Sequence, residues 1–126
     1  MKIRLSLRLG GDNLNHQEII DSINTDFVYE VYNYDDYSCF TFFHPKGISD
    51  EYPDNNYEED FIIFIEENYE KLFQQGIRSF DLFIEVYYVD QCNFEILNSS
   101  RLKRLGQFDI SIPISVYHED ENGNLR

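Results

Sequence analysis

Residues 2–9, KIRLSLRL, alternate without a slip: Ile3, Leu5, Leu7 and Leu9 fall on one side, Lys2, Arg4, Ser6 and Arg8 on the other. A period of two gathers those apolar residues on one face of a β-strand and scatters them around a helix. The chain is thereby committed to a sheet with a covered face and, along this strand, a wet basic one. What covers the sheet must come from the rest of the sequence.

Two segments supply helical periodicity. In NHQEIIDSI, Asn15 stands as N-cap with Glu18 three residues on, a capping-box spacing, and Ile19, Ile20 and Ile23 form an apolar stripe. In YEEDFIIFIEENYEKLFQQ, with Asn56 as cap, Phe61, Phe64, Ile65, Leu72 and Phe73 recur at helical spacing and Glu66, Glu67 and Glu70 take the wet side. Glu58, Glu59 and Asp60 suit the positive end of that helix's dipole, and Gly76 ends it.

The remaining segments read as strands with one short helix. Residues 27–33 and 37–43 form a hairpin around Tyr34-Asp35-Asp36, with Phe27, Tyr29 and Val31 on one face and one side of the hairpin in the core. FDLFIEVYYV, 80–89, is apolar on both faces and so central. NFEIL is a short strand or an extended segment, and SSRLKRLG is a short helix capped by serine and by Gly106. FDISIPISVYH turns Phe108, Ile110, Ile112, Ile114 and Val116 inward, with Pro113 confining it to an edge. The order β-α-β-β-α-β, then α-β, predicts an α+β fold with a ferredoxin-like, mostly antiparallel sheet. It carries two main helices on one face plus an added C-terminal helix-strand. One domain spans 1–118, and 119–126 is a polar, frayed tail.

The run NFEILNSSRLKRLGQFDISIPISVYHED resembles the bacterial family catalogued as domain of unknown function 4279. Its closing signature is similar to Leu102, Leu105, Gly106, Ile110, Ile112 and Tyr117 here. Its opening resembles LSLRLGGDNLNHQEIIDSI, a strand and a "GD" turn before a short helix. The long helix before a central strand, FIIFIEENYEKLFQQGIRSFDLFIEVYY, looks similar as well. The resemblance implies a bacterial single domain of this size and brings no catalytic residue with it.

Charge narrows the partners. The net charge is −14, and residues 9–70 carry sixteen acids against Lys46 alone. A field of that sign repels nucleic acid and anionic membrane and draws in basic proteins or cations. No apolar run is long enough for a membrane span, and MKIRLSLRLGGDN lacks the apolar core of a signal peptide, so a cytoplasmic protein with reduced Cys39 and Cys92 is expected.

Catalytic and metal patterns are weak. Cys39 and His44 lie five residues apart on one strand and so face opposite sides. HEDENGN from His118 puts histidine where a calcium loop needs aspartate. No phosphate cradle, nucleophile elbow or cofactor motif is present, so no enzyme and no cofactor are expected.

What stands out is acid interleaved with tyrosine. Tyr34, Asp35, Asp36 and Tyr37 form one tip; Asp50, Glu51, Tyr52, Asp54, Tyr57, Glu58, Glu59 and Asp60 form a second segment. Tyrosine offers large contact area at low entropy cost and carboxylates steer a basic partner, so these twelve residues are the expected partner-binding surface of an immunity or inhibitor protein. The competing expectations are tyrosines lying flat over the core, or a small-ligand or calcium site in the 45–57 loop.

Overall fold

The structure is a computed structural model that describes residues 1–47 and 55–125. Its elements are β1 (Lys2–Asp12), α1 (His16–Ser22), β2 (Val28–Tyr34), β3 (Tyr37–Phe43), α2 (Asn55–Gln74), β4 (Ser79–Tyr88), α3 (Ser99–Leu105) and β5 (Ile114–His118). The strands form one sheet in the order β2-β3-β1-β4-β5. The first three pairings are antiparallel, and β5 joins β4 in parallel. The fold is therefore α+β with a mixed, mostly antiparallel sheet.

The core lies between the sheet and its helices. Leu7, Leu9, Phe40, Phe42, Leu82 and Ile84 from the three inner strands are fully buried, as are Ile19 of α1 and Phe61, Ile62, Ile65 and Leu72 of α2. Each such side chain contributes about 1.5–3 kcal/mol on leaving water. The alternation in β1 is realised: Ile3, Leu5, Leu7 and Leu9 face the helices. At the head of α1, the Glu18 amide donates to the Asn15 side chain at 3.1 Å, as the capping spacing predicts.

Several expectations are corrected. β2 is exposed at all seven positions, so the hairpin's core rings are Phe40 and Phe42 of β3, with Phe27 just before β2. An edge strand has a neighbour on one side only, and among the described residues no helix buries this one. Ile114 and Val116 stand about half exposed, because β5 is the opposite edge; Phe108, Ile110 and Ile112 do pack on the core. Phe73 is exposed too, with the Arg78 guanidinium 4.1 Å over its ring. The cap of α3 is Asn98, which accepts the Arg101 amide at 3.1 Å, rather than a serine. NFEIL forms no strand. The tail folds back: Glu119 is buried and meets Lys2 at 3.2 Å. The Asp120 carboxylate is held below its usual range by the backbone N–H of Asn124 and by its other turn donors. No helix among the described residues is long and apolar enough to cross a membrane.

Candidate functional site

The hairpin tip is built as a two-residue turn. Tyr34 pairs with Tyr37, leaving Asp35 and Asp36 as the loop. Asp35 has φ 49°, a left-handed conformation that aspartate tolerates better than most residues. The Asp36 carbonyl accepts the Asn13 amide at 2.8 Å, which ties the tip to the end of β1. Tyr34 is 62% exposed and Tyr37 39%, and both aspartates are exposed. Along β2 the exposed side chains alternate between faces: Glu30, Tyr32 and Tyr34 stand on the helix-free face, while Tyr29 lies beside Phe40 and Phe42 on the other. Glu30 accepts the Tyr32 hydroxyl, which raises that phenol's pKa. The first segment of the expected surface, Tyr34 to Tyr37, is thus exposed throughout.

The second segment differs. Tyr57 is buried and stacks on His44 at 3.9 Å between ring centres. Glu58 is buried; it accepts the Leu97 amide at 2.5 Å and meets Arg101 at 3.7 Å. Glu59 accepts from Arg104 at 2.6 Å and from Arg101 at 3.3 Å, and Glu66 takes the other arm of Arg104 at 2.6 Å. Arg104 holds the Glu59 and Glu66 carboxyls below their ordinary range, and they in turn raise its own pKa. These acids clasp α3 to α2, and their charge is met within the molecule. Arginines from across the chain find them because the first turn of α2 lies beside α3. Asp50, Glu51, Tyr52 and Asp54, with most of the 45–57 loop, lie outside the described residues.

Asp60 belongs to a second feature, a cleft of about 440 Å³ lined by Asp26, Phe27, His44, Lys46, Asp60 and neighbours. The His44 Nε2–H donates to Asp60 Oδ2 at 2.7 Å, while Nδ1 accepts the Lys46 amide at 3.2 Å. The amide is a donor only, so the tautomer follows from it. With both nitrogens engaged and its ring stacked on Tyr57, His44 fixes the end of β3 against α2; it has no nitrogen left to exchange a proton with a substrate. Cys39 faces the other side of the sheet, as its spacing from His44 predicts. His118 bonds the Val89 carbonyl at 2.9 Å. Among the described residues no group of three or more His, Cys, Asp or Glu side chains could hold a metal ion.

The helix-free face of the sheet carries a groove of about 550 Å³ that runs from the hairpin across β1 to β4 and β5. Its floor includes the small residues Ser6, Cys39 and Thr41 of β1 and β3, with Tyr32, Tyr34 and Tyr37 toward the hairpin and Phe83 and Tyr117 toward β4 and β5. Gly10 has a specific purpose: a Cβ there would overlap the Tyr37 hydroxyl, so its absence lets the Tyr37 ring lie across β1. On the far rim the Tyr87 hydroxyl donates to Glu85 at 2.6 Å, which pushes its pKa up to about 12. The alternation in β1 marks Arg4, Ser6 and Arg8 as one face, but the rings opposite them become visible only with the strand register.

Comparison with family models, with curated proteins and with solved structures finds no match.

Proposed function

We propose that this chain is a non-enzymatic bacterial binding protein of the immunity or inhibitor type, acting in the cytoplasm, whose β2–β3 hairpin docks on a basic protein. The observation that carries the reading is β2 itself: a seven-residue edge strand, exposed throughout, with Tyr29, Tyr32 and Tyr34 in a segment whose only charges, Glu30, Asp35 and Asp36, are acidic. Exposed tyrosines beside the carboxylates of the tip fit a protein partner that presents cations there. An open strand edge also offers backbone groups to a partner's extended segment. A second copy of the chain is a poor occupant, since two chains of net charge −14 repel each other.

The mechanism is occlusion. The acidic hairpin draws a cationic surface in, the tyrosines supply the desolvated contacts, and the partner's own anionic substrate is kept out. Glu58, Glu59 and Glu66 of α2 are assigned no part in docking, because Arg101 and Arg104 already hold them. Membership of the family known as domain of unknown function 4279 belongs to the same proposal. So does a ferredoxin-like ancestry, supported by the antiparallel run β2-β3-β1-β4, to which β5 is an addition.

The test is capture from a lysate of the source organism with tagged protein, salt-graded washes and mass spectrometry. The triple variant Tyr34→Ala/Asp35→Asn/Asp36→Asn serves as the control. A basic protein retained by the native chain, released by salt and lost from the variant supports the reading. Equal retention by both chains, or no retention from a lysate that contains the basic candidates, overturns it.

A further inference from the structure

β2 lacks the devices that keep a sheet edge closed. Natural edge strands are guarded by lysine, proline, a bulge or a covering element. VYEVYNY has neither lysine nor proline, and its register with β3 runs from Val28 opposite Phe43 to Tyr34 opposite Tyr37 without a bulge. Among the described residues no helix buries it, and outside the ladder to β3 none of its backbone groups bonds another element.

The register fixes which groups are open. A two-residue turn closes on a hydrogen-bonded pair, here Tyr34 and Tyr37, and bonded and non-bonded pairs then alternate along the ladder. Tyr32, Glu30 and Val28 therefore commit their N–H and C=O to β3, while Asn33, Val31 and Tyr29 point theirs outward. The side chains divide the same way. Tyr29 and Val31 stand on the helix side, 43% and 37% exposed, with the Tyr29 ring centre 5.9 Å from that of Phe42 at the rim of the core. Glu30 and Tyr32 stand on the helix-free side, where Glu30 accepts the Tyr32 hydroxyl and, among the described residues, pairs with no cation.

A strand added in antiparallel pairing takes its hydrogen bonds from Tyr29, Val31 and Asn33 and sets one residue directly opposite Glu30, in the closer, non-hydrogen-bonded kind of position. Opposite a carboxylate that position favours lysine or arginine. The two neighbours of that residue fall opposite Tyr29 and Val31 on the other face, where apolar side chains extend the core. A net charge of −14 works against a second copy there. We propose that β2 takes up an extended segment of the basic partner as a sixth strand, one in which cationic and apolar side chains alternate. The strand addition rests on the hairpin being the docking surface, and it sets the sequence pattern that surface accepts.

The probe is a capped peptide of alternating lysine and valine, as long as β2, titrated into the native chain with amide hydrogen exchange read by NMR. Saturable binding is expected, with exchange slowed at Tyr29, Val31 and Asn33 and unchanged at Glu30 and Tyr32, whose amides already bond β3. N-methylation of the peptide's valines, whose amides face β2 in this register, weakens binding by about tenfold or more. Val31→Pro removes one outward N–H, keeps the ladder to β3 and has the same effect; the N-methylated peptide decides the matter if that variant misfolds. Glu30→Gln weakens binding about threefold, the size of one cross-strand ion pair. No saturable binding at millimolar peptide, equal binding of the N-methylated peptide, or protection without the alternation overturns the strand addition, and a basic protein captured through the tip then leaves the hairpin reading standing. Alternating protection in a chain that captures no basic protein supports the open edge and overturns the hairpin reading instead. Slowed exchange at the same amides with rising protein concentration and no peptide marks a second copy as the occupant and overturns the proposal.

Discussion

The carboxylate of Glu58, in the first turn of α2, accepts the backbone N–H of Leu97 at 2.5 Å, across 39 positions of sequence. Both residues are buried, and Arg101 meets the same carboxylate oxygen at 3.7 Å. The segment between β4 and α3 has no strand or helix of its own, so this acceptor fixes where it lies. Glu58→Ala leaves the Leu97 amide buried without a partner and is expected to cost about 1–3 kcal/mol in urea unfolding. Glu58→Gln keeps an acceptor oxygen and should cost less; equal losses would remove the hydrogen bond from the account.

The α2–α3 clasp makes a pH-dependent contribution with a defined sign. Glu59 and Glu66 are held below their ordinary carboxyl value of 4.5, chiefly by hydrogen bonds from Arg104. A carboxyl depressed in the folded state stabilises the fold above its unfolded value and loses that contribution as pH falls through the folded one. Arg104→Gln should therefore lower Tm by a constant amount at neutral and mildly acid pH, with the gap closing below pH 4.5. The pairs are about a third exposed, so salt should narrow the gap as well. Thermal melts of both chains across acid pH provide the check.

Gly10 and Tyr37 are coupled by space. Gly10→Ala places a methyl group where the Tyr37 phenol lies and is expected to destabilise the fold by about 1–3 kcal/mol, the usual cost of overpacking. In a Tyr37→Ala background the same change should cost much less. A double-mutant cycle reads the difference, and additive losses would show that the ring yields freely.

At the tip, Asp35→Asn/Asp36→Asn should leave urea stability within about 0.5 kcal/mol of the native chain, since both side chains are exposed and asparagine accepts the positive φ of Asp35. Asp35→Val, which resists that conformation, should destabilise the hairpin. The asparagine pair is thus suited to separating binding from folding.

Periodicity carried most of the fold into view. β1, β4, α1 and α2 each repeat an apolar pattern long enough to set both type and phase. Coverage is another matter. Tyr29 and Val31, like Ile114 and Val116, alternate as core residues do, but they sit on edge strands and stay exposed. Glu58 reads as a solvated first-turn acid because Leu97 and Arg101 are distant in sequence. The groove depends on which residues of β3 and β4 stand beside Arg4 and Arg8, which only the ladder register reveals. The tip was legible because a turn between two strands has few places to go.

The most direct measurement is hydrogen exchange of the β2–β3 amides with and without the basic protein recovered by capture. Docking at the hairpin slows exchange across residues 28–37 and leaves α2 and α3 unchanged. Protection confined to α2 and α3, with β2 still exchanging freely, would contradict the assignment of the hairpin as the docking surface.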